Sequence, residues 1–139
     1  AKAKTEAAEQ EKARLEAEKL FQRARQLVER NKFADAHEAM LKAVELRPLE
    51  PEYRMYEAWA SYLNACVVKR VARAKAIACS RRLLETDPRA GKPHTILGRL
   101  LLDDGDLKSA EKEFQIAITR DPEDEEAIKG LHAARGIKS

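Results

Sequence analysis

Residues 98–122, GRLLLDDGDLKSAEKEFQIAITRDP, contain two amphipathic runs joined by a Gly-Asp turn. Small residues stand where large core side chains would be expected, at Gly98, Ala110 and Ala117. Two amphipathic helices joined in a hairpin cannot bury their apolar faces alone, and small residues at the crossing let the helix axes approach closely. The stretch therefore predicts a close-packed helical hairpin that stacks on neighbouring hairpins.

The same arrangement of small residues occurs elsewhere in the chain, which indicates internal repeats. Steps of 12, 7 and 5 residues separate three small residues and a proline in two segments: Gly98, Ala110, Ala117 and Pro122, and Ala24, Ala36, Ala43 and Pro48. A third segment has steps of 18, 7 and 5, with a leucine in place of the last small residue: Ala58, Ala76, Leu83 and Pro88. The longer first step corresponds to six residues inserted between the two helices of that hairpin.

The spacing divides the chain into three helical hairpins, at residues 17–50, 51–90 and 91–124. Residues 1–16 are expected to form a solvated helical extension, and residues 125–139 a capping helix and tail. Turn signals place the helices at residues 5–30, 33–46, 51–65, 70–86, 92–104, 107–120 and 123–135. The composition, with 37% charged and 5% aromatic residues, agrees with an all-α chain of one domain, since strands need more β-branched and aromatic side chains.

The first and third hairpins resemble the tetratricopeptide repeat family, whose unit of about 34 residues has a small residue in each helix at the crossing and a proline that closes the second helix. The matching segments are KLFQRARQLVERNKFADAHEAMLKAVELRP and HTILGRLLLDDGDLKSAEKEFQIAITRDP, and the resemblance covers residues 17–135. It implies a right-handed α-superhelix, or α-solenoid, of three hairpins and a capping helix. The second hairpin departs from the family, because it lacks the turn glycine and has Arg54, Glu57 and Ser61 where the family has apolar core residues.

The resemblance also implies a function, that of a protein-interaction scaffold holding a peptide or helix of another protein in a concave groove. In the family register the first helix of each hairpin lines that groove, and the corresponding residues here are Phe21, Arg25, Met55, Trp59, Tyr62 and Arg99. Some family members clamp a C-terminal carboxylate with Lys and Asn at fixed first-helix positions. This sequence lacks that set, so a clamp for chaperone tails is not expected.

The helix YRMYEAWASYL, residues 53–63, leaves the position of Trp59 open. Its apolar and aromatic residues fill an arc of roughly 220°, which is wider than one packing face needs. In the family register Trp59 faces the groove. If the polar residues face the groove instead, the helix is rotated, Trp59 lies in the core, and Arg54, Glu57 and Ser61 are accessible. The sequence alone does not decide between these two interpretations.

Residues 58–84 contain no acidic residue, although the chain as a whole has a net charge of only +3. Six basic residues gather in and after the insertion: Lys69, Arg70, Arg73, Lys75, Arg81 and Arg82. They predict a local basic surface, which is a solvated helix face, a docking patch for an acidic protein segment, or a phosphate-binding surface. Aromatic residues for base stacking are not interleaved with them, which argues against nucleic acid.

No motif in the sequence predicts catalysis, a cofactor or a metal site. His37, His94 and His132 have no cysteine or carboxylate at metal-ligand spacing beside them and are expected at the surface. There is no glycine-rich phosphate loop and no recognisable nucleophile setting. Cys66 and Cys79 are expected to be reduced packing residues. No stretch has the ~18 apolar residues of a membrane span and the N-terminal residues do not resemble a signal peptide, so a cytoplasmic protein is expected.

Two further interpretations remain open beside the protein-interaction scaffold. A helical adaptor would bind nucleic acid through the basic residues 69–82, and a self-associating module would use the wide aromatic arc of residues 53–63 as a homo-oligomer interface. Added salt separates them, since binding to phosphates weakens with salt, whereas an apolar interface between copies persists and depends on protein concentration.

Overall fold

The structure, a computed structural model, describes residues 2–64 and 68–136. These residues form seven α-helices and no strand, which confirms the all-α fold class. The helices are α1 (Lys2–Glu29), α2 (Phe33–Leu46), α3 (Pro51–Asn64), α4 (Lys69–Thr86), α5 (Lys92–Asp103), α6 (Leu107–Arg120) and α7 (Glu125–Ala134). Their ends lie within three residues of the predicted ones. The predicted end of the third helix at residue 65, and most of the turn that follows it, lie outside the described residues.

The chain divides into two compact units, Ala1–Ala72 and Arg73–Ser139, with the boundary inside α4. The first unit contains the hairpin of α1 and α2, and α3 packs on α2. The small residues of the predicted crossing, Ala24, Ala36 and Ala43, are all fully buried. The chain turns between α1 and α2 at Asn31, whose φ of 59° lies in the left-handed region that asparagine tolerates better than most residues. This hairpin therefore needs no glycine at its turn.

The second unit contains the hairpin of α5 and α6, and α7 packs on both of these helices. Gly98 on α5 is buried, and Ala110 and Ala117 on α6 are fully buried, as the spacing predicts for a close crossing. The turn between them passes through Gly105 with a φ of +83°, a conformation that glycine adopts without strain. Asp106 then caps α6 by accepting a hydrogen bond from the backbone N–H of Ser109 at 3.3 Å.

Acidic residues stabilise the start of α7, as expected from their position. Asp124 is the N-cap and its Oδ1 accepts a hydrogen bond from the backbone N–H of Ala127 at 3.1 Å. Glu125 and Glu126 follow in the first turn, where carboxylates interact favourably with the helix dipole. The second carboxylate oxygen of Asp124 accepts a hydrogen bond from the buried hydroxyl of Thr95 at 2.7 Å. One side chain thus caps α7 and links it to α5.

The N-terminal part of α1 is solvated. Residues 3–12 are all exposed, and an exposed ion pair joins Arg14 to Glu11 at 2.6 Å. Alanine, glutamate and lysine are strong helix formers, which explains why this segment is helical without tertiary packing along most of its length. Across the described ranges, none of the helices combines the length and the apolarity needed to cross a bilayer.

Candidate functional site

The aromatic helix α3 is buried on nearly all sides. Tyr53 and residues 55–62 are buried, and Met55 and Trp59 are fully enclosed. The rings of Trp59 and Tyr62 stack with their centroids 5.7 Å apart. The prediction that Met55, Trp59 and Tyr62 present accessible side chains to a groove is therefore wrong for this structure, and Trp59 lies in the core. The physical reason is the width of the apolar arc, because removing any part of it from water lowers the free energy of the protein.

The polar residues of α3 do not follow the rotated alternative either. That alternative expects Glu57 and Ser61 to be accessible, yet they are only 7% and 8% exposed, and Arg54 alone of the three is exposed. The Glu57 carboxylate is buried beside His37 of α2, with Oε2 3.4 Å from Nε2. His37 is itself mostly buried, which corrects the expectation that it lies at the surface. The pairing of an acid on one helix with an imidazole on another explains how α3 can be buried on its polar side.

Phe21 belongs to an aromatic cluster between α1 and α3. Its ring centroid is 5.1 Å from that of Tyr53 and 5.3 Å from that of Tyr56, the second contact being edge-on. Phe21 is 7% exposed, so it is a packing residue and not the accessible groove residue that the family register predicts. Arg25, one turn further along α1, is exposed, and its guanidinium lies 5.7 Å from the Phe21 centroid. Arg25 is thus the accessible part of this cluster.

A carboxylate at the margin of the cluster accepts two hydrogen bonds. Gln22 Nε2 donates to Glu18 Oε1 at 3.0 Å, and the Tyr53 hydroxyl donates to Glu18 Oε2 at 3.1 Å. The hydrogen bond from Gln22, with that from Tyr53, lowers the pKa of Glu18. Burial, together with the bond to Glu18, raises the pKa of Tyr53 to about 12. A charged carboxylate and a neutral phenol therefore join α1 to α3.

In the second unit, the predicted groove residue Arg99 is accessible. Its side chain is 43% exposed, and Nε lies 3.6 Å from Asp103 Oδ1 on the same helix. One end of α5 carries a second charged pair, because Lys92 Nζ donates to Glu126 Oε2 of α7 at 2.8 Å. At the position that corresponds to Trp59 of α3, α5 thus presents the charged side chain of Arg99. Of the six predicted groove residues, two are accessible, Arg25 and Arg99, and four are buried, Phe21, Met55, Trp59 and Tyr62.

The predicted basic residues of α4 that belong to the first unit are Lys69 and Arg70. Both are exposed, and Lys69 Nζ lies 5.0 Å from the centroid of the Tyr62 ring. Val68 and Val71 beside them are 68% and 64% exposed. The beginning of α4 therefore mixes basic and apolar groups at the surface.

The other predicted basic residues belong to the second unit: Arg73, Lys75, Arg81 and Arg82. Arg73 is half-buried, and its Nη2 donates to Asp104 Oδ2. Lys75, Arg81 and Arg82 are exposed. The part of α4 in this unit is thus rich in basic groups before Glu85, and Arg73 among them is paired with an acid.

The second unit contains an ionic network that the sequence did not predict. His94 Nδ1 is 2.7 Å from Glu113 Oε2, and His94 Nε2 is 3.1 Å from Arg120 Nη1. The same Arg120 nitrogen donates to the carbonyl oxygens of Pro88 and Ala90 at 2.6 and 3.2 Å. The His94 side chain is 13% exposed, so it is not the surface histidine that the sequence indicates. The network joins α5 to α6 and to the turn before α5, and its role is structural.

No cluster of three or more His, Cys, Asp and Glu side chains in residues 2–64 and 68–136 could hold a metal ion. Cys79 is half-buried, and Cys66 lies outside the described residues. An open depression of about 380 Å³ lies beside the turn between α1 and α2, lined by residues 31–35 and Asn64.

Sequence comparison identifies the family. The profile of the family described as Tetratricopeptide repeat matches residues 21–74 and again residues 72–125. The chain belongs to the tetratricopeptide repeat (TPR) family, which confirms the resemblance seen in the first and third hairpins and extends it to the second. Comparison with curated protein sequences gives no significant match.

Two solved TPR domains and a secretion chaperone have the same fold. The Sgt2 TPR domain from Aspergillus fumigatus is 20% identical with a TM-score of 0.61, and the alignment covers 87% of this chain and 78% of that one. The second TPR domain of human RPAP3, in complex with the HSP70 peptide SGPTIEEVD, is 17% identical with a TM-score of 0.56, at coverages of 88% and 98%. The Yersinia enterocolitica type III secretion chaperone SycD, in complex with a peptide of the translocator YopD, is 17% identical with a TM-score of 0.54, at coverages of 85% and 91%. At these identities the similarity concerns the fold, which is of the α-solenoid class.

Proposed function

We propose that the protein is a non-catalytic interaction scaffold that binds a peptide or a helix of a partner protein. The observation that carries this proposal is the repeated helical hairpin of the TPR family, since such repeats present their first helices as a preorganised surface and so lower the entropic cost of binding. Two of the similar solved structures, those of RPAP3 and SycD, are complexes with peptides, which supports a ligand of this kind.

The proposed contacts are the accessible first-helix residues Arg25 and Arg99. A guanidinium donates to peptide carbonyl groups and forms bidentate hydrogen bonds with carboxylates. Arg25 lies over the Phe21 ring, which favours one orientation of its side chain, and Arg99 is held only loosely by Asp103 at 3.6 Å. The buried residues of the predicted groove set are proposed to stiffen the first helices and not to touch the partner: Phe21, Met55, Trp59 and Tyr62.

A chaperone tail is not the proposed ligand. The peptide in the RPAP3 complex ends in Val-Asp, and recognition of such an end by a carboxylate clamp needs the set of Lys and Asn that this chain lacks. We propose instead that the first helices contact partner segments along their length, through Arg25 in the first unit and through Arg99 in the second.

The experiment that tests this proposal is comparative capture from a cytosolic extract, chosen because the sequence favours a cytoplasmic protein. The immobilised baits are the wild type, Arg25→Ala/Arg99→Ala, and a matched control, Lys108→Ala/Lys112→Ala, which removes two exposed cations from α6. We expect the wild type and the control to retain the same partner, and the double arginine variant to retain at least about tenfold less, as for the loss of interface anchors.

Two outcomes of the capture would contradict the proposal. Retention that disappears when the extract is treated with nuclease would favour the nucleic-acid adaptor. Retention of nothing but further copies of the chain, increasing with its concentration, would favour the self-associating module.

A further inference from the structure

One nitrogen of Arg120 ties α6 both to His94 and to the turn between α4 and α5. Nη1 lies 2.6 Å from the carbonyl oxygen of Pro88, 3.2 Å from that of Ala90 and 3.1 Å from His94 Nε2. The backbone of the turn is close to the same side chain, since a Cβ placed on Gly91 would be 3.3 Å from Arg120 Cβ. A change that drives this nitrogen away from His94 therefore also acts on the turn.

The contacts of His94 determine which of its ring nitrogens carries the proton. A guanidinium has donors and no acceptor, so Nε2 faces Arg120 as an unprotonated acceptor. Nδ1 then carries the proton and donates it to Glu113 Oε2 at 2.7 Å. The neutral imidazole thus serves a carboxylate and a guanidinium of α6 at the same time.

The two charged side chains that reach the imidazole both belong to α6. In residues 2–64 and 68–136, Glu113 and Arg120 alone lie within hydrogen-bond or ion-pair distance of His94. Charged residues that belong to the turn, to α5 itself, to the end of α6 or to α7, but that do not reach the ring, are Asp87, Arg89, Lys92, Arg99, Asp121, Asp124 and Glu126. A proton on His94 is therefore felt first by Glu113 and Arg120.

We propose that His94 is a proton-dependent latch, which holds Arg120 on the turn while it is neutral and releases it when it is charged. Histidine changes its charge between about pH 5 and 8. The side chains of His94 and Glu113 are 13% and 26% exposed, so water can deliver a proton to the network. A proton on Nε2 converts the acceptor into a donor, which then faces the N–H groups of Arg120 and adds a second positive charge beside the guanidinium.

Glu113 decides which of the two cations moves. The imidazolium stays in place, because its Nδ1–H donates to the Glu113 carboxylate in a charge-assisted hydrogen bond. Arg120 is exposed and free to turn toward water, so its Nη1 leaves the carbonyl oxygens of Pro88 and Ala90. Mild acid thus loosens the turn that leads into α5. The latch concerns this turn alone, so it does not depend on the proposed function.

The test is nuclear magnetic resonance of the isotope-labelled full chain, titrated from about pH 8 to about pH 5. Long-range ¹H–¹⁵N spectra report which nitrogen of His94 is protonated, and the carbonyl ¹³C shifts of Pro88 and Ala90 report the hydrogen bonds from Arg120. The variants are His94→Gln and Arg120→Gln. The matched control is His132→Gln, because His132 of α7 has no hydrogen bond or ion pair within the described ranges. Circular dichroism establishes that each variant is folded at both ends of the titration.

At the alkaline end we expect Nε2 of His94 to be unprotonated and Nδ1 protonated. On acidification the two carbonyl shifts should change with the same midpoint as the His94 ring. This change should be lost in His94→Gln and in Arg120→Gln, and kept in full in His132→Gln. The proposal is overturned if Nε2 carries the proton at the alkaline end, if the His94 ring does not titrate in this range, if it titrates without moving the carbonyl shifts, or if His94→Gln shows the same change as the wild type.

Discussion

The ring of Phe114 lies directly against Gly130, so closely that a Cβ placed on residue 130 would be 2.3 Å from Cζ of the ring. On α5, a Cβ at Gly98 would be 2.8 Å from Cε1 of the same ring. Phe114 is fully buried, and it therefore fills space that two glycines on two different helices leave for it. The capping helix α7 approaches α6 this closely because residue 130 has no side chain.

Gly130→Ala should destabilise the protein although alanine is the better helix former. The clash with a buried ring costs about 1–3 kcal/mol, which outweighs the gain of about 1 kcal/mol in helix propensity. Chemical denaturation should show a lower free energy of unfolding, and Lys129→Ala, at the exposed neighbouring position, should change it little. A Gly130→Ala variant as stable as the wild type would show that α7 does not pack on Phe114 in this way.

Trp59 should behave as a core residue. It is the one tryptophan of the chain and is 0% exposed, so the emission of the free protein should already be at short wavelength. Trp59→Ala should lower the free energy of unfolding by about 3–5 kcal/mol. Trp59→Phe should cost much less, since Nε1 has no hydrogen-bond partner among the described residues and none is lost. Emission typical of a water-exposed indole, with an unchanged free energy of unfolding in Trp59→Ala, would show that Trp59 lies in an accessible groove and not in the core.

Tyr53 should make the stability sensitive to alkaline pH. Its pKa is raised from the ordinary value of 10.0 to about 12, chiefly by burial and then by the hydrogen bond to Glu18. The folded state therefore favours the neutral phenol, so this contribution to stability is complete below pH 10 and is lost as the pH rises through 12. Denaturation between these pH values should show a steeper loss of stability in the wild type than in Tyr53→Phe.

A spectroscopic titration gives an independent check on Tyr53. The phenolate absorbance of Glu18→Gln should increase at lower pH than that of the wild type, because the negative charge of Glu18 helps to raise the pKa of Tyr53. Identical titration curves for Glu18→Gln and the wild type would mean that the hydrogen bond between α1 and α3 does not form in solution.

Asp124 should contribute more to stability than Asp106, although both are helix N-caps. Asp106→Ala removes one capping hydrogen bond and should cost about 1 kcal/mol. Asp124→Ala removes the cap of α7 and also leaves the buried Thr95 hydroxyl without its acceptor, so the cost should be about 2–3 kcal/mol. Thermal melts of the two variants compare these costs, and equal midpoints would argue against the bond between Thr95 and Asp124.

The hairpins could be predicted from the sequence because their signal is local. Small residues such as Ala110 and Ala117 recur at fixed steps, and the turn at Gly105 follows from the conformation that glycine alone adopts easily. The direction in which α3 faces could not be predicted. Its acid Glu57 is buried because His37 lies beside it on α2, and helix periodicity contains no information on a partner in another helix.

The candidate site could be predicted only in part, because contacts between helices are not visible in the sequence of one helix. Arg25 and Arg99 remain accessible, as the family register indicates, because their charged ends are costly to bury. Trp59 was ambiguous from its helix alone, and its burial depends on tertiary packing. His94 and Glu113 are in contact although they lie 19 positions apart on different helices. Residues can have this spacing without touching, so the sequence does not reveal the contact.

Site-specific photo-crosslinking tests the central claim, that the first helices hold a segment of a partner protein, most directly. A photoreactive phenylalanine is placed at Gln22 of α1 or Asp103 of α5, next to Arg25 and Arg99, and in separate control proteins at Glu38 of α2 or Gln115 of α6, all four positions being exposed. After irradiation in extract, mass spectrometry should find a segment of a partner protein attached at Gln22 and at Asp103, and not at the control positions. Equal attachment at all four positions, or attachment to nucleic acid or to further copies of the chain alone, would contradict the claim.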